Sequence, residues 1–165
     1  MSYYLAVPLL LVAALVQAAV MPSFPVLGAY PNLVLVLVVS WTVVRGQREG
    51  MVVVPIGGLC LGLVSSQPVG VALLAAAPVV LLAELREARL TQSDLLLAIA
   101  LVLASSLVYE TVFLVILQVM GESVQWWGSF SRIILPTAII NSLFTLPLYW
   151  LVWWGSTRFR RPHSL

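Results

Sequence analysis

The chain has 165 residues, of which 62% are hydrophobic and only 8% are charged. A soluble domain of average composition carries about 25% charged residues, so this composition excludes an ordinary soluble globular protein. The net charge of +2 comes from arginines that lie between apolar stretches, and it therefore indicates membrane topology rather than nucleic-acid binding. One compact integral membrane domain is expected.

Six apolar stretches, separated by short polar or Pro- and Gly-containing breaks, predict six membrane-spanning helices. The first stretch is interpreted as a retained helix rather than a signal peptide, because no basic segment precedes it. In chain order the predicted helices are Tyr3–Met21, Pro31–Val44, Met51–Val64, Val69–Ala83, Asp94–Met120 and Arg132–Trp154. This predicts an all-α bundle of six transmembrane helices over residues 1–155, followed by a short basic tail at 156–165.

The breaks between these stretches carry most of the turn-forming residues. The segment Pro22–Tyr30 contains two prolines and a glycine and predicts an irregular loop, and Gly121–Ser131 predicts another. The second and third helices are short for full spans, so a re-entrant pair is the alternative for them. That alternative leaves four full spans and the same sidedness.

The arginines predict the orientation of the bundle. Seven of the eight lie in segments that six spans place on one side: Arg45, Arg48, Arg86, Arg89, Arg158, Arg160 and Arg161. Because basic residues are enriched in cytoplasmic loops, this side and both termini are predicted to be cytoplasmic. Trp126 and Trp127 then lie at the outer interface, where tryptophan is enriched.

The chain lacks the residues that most intramembrane enzymes require. It contains no lysine, its only histidine is His163 near the C-terminus, and its only aspartate is Asp94, which is expected to cap the fifth helix. A buried Ser–His pair, a two-aspartate protease site and a His-based metal site are therefore excluded. We expect a protein that is not an enzyme and that binds no cofactor or metal.

One acidic residue, Glu110, is predicted to lie deep inside a helix. Its distance from the outer end of the fifth predicted helix matches that of Asn141 from the outer end of the last one. Ser106 shares a helix face with Glu110, and Thr137 shares one with Asn141. Since an isolated carboxylate in hydrocarbon is unfavourable, we predict an interhelical polar pair, with a partner contact or a proton relay as alternatives.

Small residues at four-residue spacing predict close helix packing. Gly58 and Gly62 form such a pair on the third predicted helix, and Ala14 and Ala18 form one on the first. Pairs of this kind let two helix backbones approach closely. Packing within the bundle and docking of another membrane protein are both open interpretations.

Several short stretches follow the pattern of a known family. They are the Pro31–Val38 stretch, the turn with Gly46 and Gly50, the Gly58–Leu63 stretch, and the Leu135–Tyr149 stretch with its central Asn141. With these stretches the chain resembles MreD, the family of rod shape-determining membrane proteins. The chain departs from the family at Ser65 and Ser66, where members often carry an aspartate after the Gly-rich third helix.

The resemblance implies a fold like that of the substrate-binding subunits of energy-coupling-factor vitamin transporters. It also implies a non-enzymatic role in the cell-elongation machinery of the bacterial inner membrane, where peptidoglycan synthesis is organised. The implied partner is MreC, a bitopic scaffold protein. RodA with its class B penicillin-binding protein, the cytoskeletal protein MreB and membrane lipid are further implied neighbours.

A second hypothesis is a substrate-binding subunit of a vitamin transporter, docked on its energising partner through Ala14 and Ala18. Such a subunit needs a polar pocket near the outer face. The few residues available to line one are Gln17, Asn32, Glu110, Gln118, Arg132 and Asn141. The shortage of liners and the pattern of the last helix favour the scaffold.

Overall fold

The computed structural model of the protein describes residues 3–19, 30–64, 69–83 and 94–158. The described residues contain helices and no strand, which confirms the predicted all-α class. The helices are α1 (Tyr3–Ala19), α2 (Leu33–Arg45), α3 (Gln47–Val64), α4 (Val69–Ala83), α5 (Asp94–Val119), α6 (Trp126–Ser129) and α7 (Leu135–Arg158). A π-helical turn at Phe130–Ile134 joins α6 to α7, so that these three form one continuous final helix.

Within the described ranges, two helices are long and apolar enough to cross a membrane by length and composition, namely α5 and the continuous helix Trp126–Thr157. In contrast, α2 has only 13 residues. At 1.5 Å per residue it is about 20 Å long, which is shorter than the roughly 30 Å hydrocarbon layer. The short second helix of the sequence prediction is therefore present, and it begins slightly later, at Leu33.

The α2 helix is the central element of the bundle. Each residue from Leu33 to Val43 is buried, and the helix contacts α1, α3, α4, α5 and α7. A helix that is apolar on every side is stable only when it is covered on every side. The Val- and Leu-rich sequence of α2 meets that condition here, and α2 has no face left for lipid.

A tight reversal joins α2 to α3. Gly46 adopts a positive φ of 98° between the two helices, a conformation that glycine accepts without strain. The predicted polar break from Arg45 to Gly50 is thus reduced to one residue, because α3 already begins at Gln47. A Cβ atom on Gly50 would lie 2.5 Å from Thr42 Oγ1, so a glycine here is required for the close approach of α2 and α3.

The last helix differs from the prediction at both ends. The predicted loop Gly121–Ser131 ends early, because the chain is helical again from Trp126. Gly121 at φ 96° ends the preceding turn, and the Ser131 hydroxyl donates to the carbonyl oxygen of Trp127 at 3.0 Å. Serine and glycine favour loops in a sequence, but here the serine hydroxyl is bonded within the helix. At the other end, α7 continues to Arg158.

Some predicted features lie outside the described residues. They are most of the Pro22–Tyr30 loop, the turn at 65–68, the charged break at 84–93 and the end of the basic tail from 159 onward.

Candidate functional site

A buried polar cluster surrounds the beginning of α2, and Asn141 lies at its centre. The Asn141 side chain is completely buried. Its Oδ1 accepts a hydrogen bond from the backbone N–H of Asn32 at 2.7 Å. Its Nδ2 donates to Ser106 Oγ at 2.9 Å. One amide side chain from α7 therefore connects the start of α2 with the middle of α5.

Two more side-chain oxygens accept hydrogen bonds from backbone N–H groups in the first turn of α2. The N–H of Val34 donates to Gln17 Oε1 at 3.2 Å, and the N–H of Leu35 donates to Asn32 Oδ1 at 3.1 Å. The first N–H groups of any helix lack partners within the helix, and a buried unpaired group destabilises a protein by about 1–3 kcal/mol. We call Gln17, Asn32, Ser106, Tyr109 and Asn141 the cap cluster.

The cap cluster lies at membrane depth if the α2–α3 turn lies at the membrane surface. The start of α2 is then about 20 Å below that surface, within the hydrocarbon layer. No water is available there, so helix ends must be satisfied by the protein itself. The Tyr109 side chain is buried and lies close to the side chain of Asn32. The cluster consists of neutral amides and hydroxyls, which suit fixing a helix end rather than transferring protons.

Glu110 is not the partner of Asn141, contrary to the predicted polar pair. Asn141 bonds to Ser106 and Asn32 instead. Within the described part of the chain, the Glu110 carboxyl accepts no hydrogen bond, and its side chain is partly exposed. The structure thus brings Ser106 together with Asn141, while Glu110, one turn further along α5, is partly exposed.

The error has a geometric cause. The prediction measured the depth of Asn141 from Arg132, whereas the continuous helix begins at Trp126. Asn141 is thus roughly four turns from the N-terminal end of its helix. On α5, Ser106 is at nearly that distance from Val119, and Glu110 is about one turn closer to Val119.

The two neighbouring threonines of α7 do not bond to the Asn141 side chain. Thr137 is buried one turn before Asn141, but it is not among the hydrogen-bond partners of Asn141. Thr145 is also buried, and its hydroxyl donates to the carbonyl oxygen of Asn141 at 2.9 Å. This hydrogen bond stays within α7, so it does not connect helices.

The four small residues of the predicted packing pairs have different surroundings. Gly58 faces α4, and a Cβ atom on it would lie 3.0 Å from the Cα atom of Leu73. Gly62 is also buried. On α1, Ala14 belongs to the buried core, whereas Ala18 is exposed. The Gly58 contact is therefore between helices of this chain.

A second set of polar contacts fixes the α2–α3 hairpin. The indole Nε1 of Trp41 donates to Glu49 Oε2 at 3.0 Å, and the Arg45 guanidinium lies 5.7 Å from the centroid of the Trp41 ring. Arg48 is exposed. Of the other arginines used to predict the topology, Arg158 ends α7 and the remaining four lie outside the described residues.

The sequence predicts only that Gln17 and Asn32 could line a transport pocket. In the structure both side chains cap the start of α2. An asparagine directly before a long apolar run is a typical N-cap pattern, so Asn32 was identifiable from the sequence. Gln17 was not, because its contact with Val34 depends on how α1 packs beside α2.

Comparison with known proteins gives one match. A model of the family described as rod shape-determining protein MreD matches residues 1–154. A search of the curated proteins and a search of the solved structures find no match. Within the described residues, no group of three or more His, Cys, Asp or Glu side chains is placed to hold a metal ion. The family match covers the cap cluster and all the described helices except the end of α7, and it shows that the chain belongs to the MreD family of rod shape-determining membrane proteins.

Proposed function

We propose that the protein is a non-enzymatic scaffold of the cell-elongation machinery in the bacterial inner membrane. Membership of the MreD family places the chain in rod-shape determination, and this is the observation that carries the proposal. In the proposed role the bundle binds an MreC-type bitopic protein and helps to organise peptidoglycan synthesis. RodA with a class B penicillin-binding protein, and MreB, are the proposed neighbours in that assembly.

The interior of the bundle supports a structural role. Its buried polar side chains, within the described residues, are all neutral: Asn32, Ser40, Thr42, Ser105, Ser106, Thr137, Asn141 and Thr145. Several of them hold helix ends or bond to carbonyl groups of their own helix. General acid–base catalysis needs a titratable group held close to a substrate, and neutral amides and hydroxyls do not supply one.

The proposed fold is that of the substrate-binding subunits of energy-coupling-factor transporters, which likewise are six-helix membrane bundles. The vitamin-transport hypothesis gains no support from a family of shape-determining proteins.

Co-purification tests the scaffold function. The tagged chain, expressed with the MreC-type protein of the same cell, is expected to retain it through detergent extraction, whereas an unrelated bitopic protein is expected to be lost. Cells depleted of the chain are expected to lose their rod shape. Normal rods, together with no retained MreC-type protein, would refute the proposed function.

The tryptophans support the proposed position in the membrane. Trp127 and Trp154 are exposed and lie near opposite ends of the continuous final helix. The helical path between them is about 40 Å, which matches a bilayer measured between its two interfacial regions. Aromatic side chains concentrate in those regions. This helix is therefore long enough to place one aromatic group at each interface.

Cysteine labelling is expected to show both termini in the cytoplasm. Single cysteines at Gln47, Trp126 and Phe159 would be introduced after Cys60→Ala, because Cys60 is the only native cysteine. A membrane-impermeant maleimide added to intact cells should modify position 126 and spare positions 47 and 159, since the arginines keep the latter two inside. Permeabilised cells should be labelled at all three positions. Labelling of position 47 in intact cells would reverse the topology.

A further inference from the structure

We propose that Glu110 is the point on α5 where the single transmembrane helix of a bitopic partner docks, through a hydrogen-bond donor that the partner presents at the depth of this carboxyl. The inference rests on the proposed scaffold function and adds to it a named surface. The occupant is one transmembrane helix with a hydroxyl, amide or cationic side chain facing α5.

The carboxyl of Glu110 needs a donor that the described part of this chain does not provide. The side chain is partly exposed, and none of the described residues donates a hydrogen bond to it. Glu110 lies about 24 Å along α5 from Asp94 and about 13 Å from Val119, which places it away from both ends of the helix. An acid at this depth is rare and is almost always paired or facing a protein interior.

The position of Glu110 distinguishes it from the other acids of the described residues. Asp94 begins α5, Glu122 is exposed after its end, and Glu49 is bonded to Trp41 on the hairpin. These three acids lie at helix ends or in a loop. Among the acids of the described residues, Glu110 is therefore the one that lies within the length of a long apolar helix and receives no hydrogen bond from the described part of the chain.

The surface around Glu110 has the spacing of a helix-packing seam. Side chains on one side of α5 recur at alternating intervals of four and three residues, and we call them the α5 row: Leu96, Ala100, Leu103, Leu107, Glu110, Leu114 and Leu117. Such spacing keeps a row of side chains in line along two helices that pack side by side. Leu96 and Leu103 are exposed, Leu107 and Glu110 are partly exposed, and Leu114 is buried. The inner half of the row is therefore open to a partner.

A protein helix satisfies this surface better than lipid does. Acyl chains carry no hydrogen-bond donor, and association of helices within a bilayer relies on packing and interhelical hydrogen bonds. The neighbouring Thr111 is exposed, but its hydroxyl already donates to the carbonyl oxygen of Leu107 at 2.7 Å. The exposed large hydrophobic side chains of α1 and α3, such as Leu15 and Leu63, need no hydrogen-bond donor, so lipid acyl chains are sufficient to cover them.

The first experiment compares Glu110→Leu, Glu110→Gln and the adjacent control Thr111→Val by co-purification with the MreC-type protein. Glu110→Leu is expected to reduce the recovered partner about tenfold, since one interhelical hydrogen bond can contribute about that much affinity. Thr111→Val should leave recovery unchanged. Glu110→Gln should retain the partner if the donor is a hydroxyl or amide, and should lose it if the donor is cationic. Full recovery with Glu110→Leu would overturn the proposal.

The second experiment tests contact directly and does not depend on the stability of a Glu110 variant. Leu107→Cys, on the Cys60→Ala background, is expected to form a disulfide with a cysteine scanned along the partner's transmembrane helix. Leu63→Cys on α3, which is exposed on another helix, is the matched control and should form none. Absence of a cross-link at position 107 throughout the scan, or a cross-link between two copies of this chain alone, would overturn the proposal.

Different results would contradict the scaffold function and the docking of a partner helix at Glu110. If the unmodified chain retains no MreC-type protein, the proposed function fails before any variant is compared. If the unmodified chain retains it and Glu110→Leu retains it equally, the function stands and the α5 row is not its docking surface.

Discussion

Asn141→Leu is expected to lower the stability of the purified protein by about 2–4 kcal/mol, the largest effect of any single polar substitution in the bundle. The substitution removes the acceptor of the Asn32 N–H and the donor to Ser106 Oγ. Both groups are buried and would remain without these partners. The lost stability is that of the bundle as a whole, since the contacts join α2, α5 and α7.

Thermal unfolding in a single detergent, followed by circular dichroism, measures this effect. Ser142→Ala is the matched control, because Ser142 is adjacent, half-buried and bonded only within α7, to the carbonyl oxygen of Ala138. It is expected to change stability by less than about 0.5 kcal/mol. Equal unfolding temperatures for Asn141→Leu and the unmodified chain would show that the cap cluster does not stabilise the fold.

Gly58→Leu is expected to prevent α3 and α4 from packing, with a loss of about 3 kcal/mol or more, or no folded protein at all. A Cβ atom at this position would lie 3.0 Å from the Cα atom of Leu73 and 3.4 Å from the carbonyl oxygen of Ala72. Both neighbours are backbone atoms, which no rotamer change can move away. The two helices would have to separate along their contact.

Gly70→Ala provides the contrast for Gly58→Leu. Gly70 lies near the start of α4, is exposed, and has no atom within 4 Å of the position of a Cβ. This substitution is expected to leave the unfolding temperature nearly unchanged. Because Gly58 contacts α4 of the same chain, Gly58→Leu should lose an MreC-type partner only together with its fold. A well-folded Gly58→Leu protein would show that the α3–α4 contact is looser than the structure has it.

The order and class of the described helices were predictable from the sequence. Long apolar stretches separated by Pro, Gly and charged residues favour helices in a membrane, because a helix pairs its backbone groups within one segment and an unpaired group in hydrocarbon is unfavourable. The same stretches, together with the central Asn141, were sufficient to indicate the family, which the match over residues 1–154 confirms. Asn32 precedes an apolar run, which is a typical N-cap pattern, but the predicted helix begins at Pro31 and so places Asn32 inside it.

The partners of each polar side chain were decided by the tertiary structure alone. Successive residues of a helix point about 100° apart and rise 1.5 Å each, so a contact between helices depends on the rotation and depth of both. Beginning the last helix at Arg132 instead of Trp126 displaced Asn141 by about 9 Å in the prediction and paired it with Glu110. The central position of α2 was not predictable from the sequence for a related reason. An apolar helix is stable both in lipid and in a protein interior, and only the packing of five surrounding helices shows that protein covers α2.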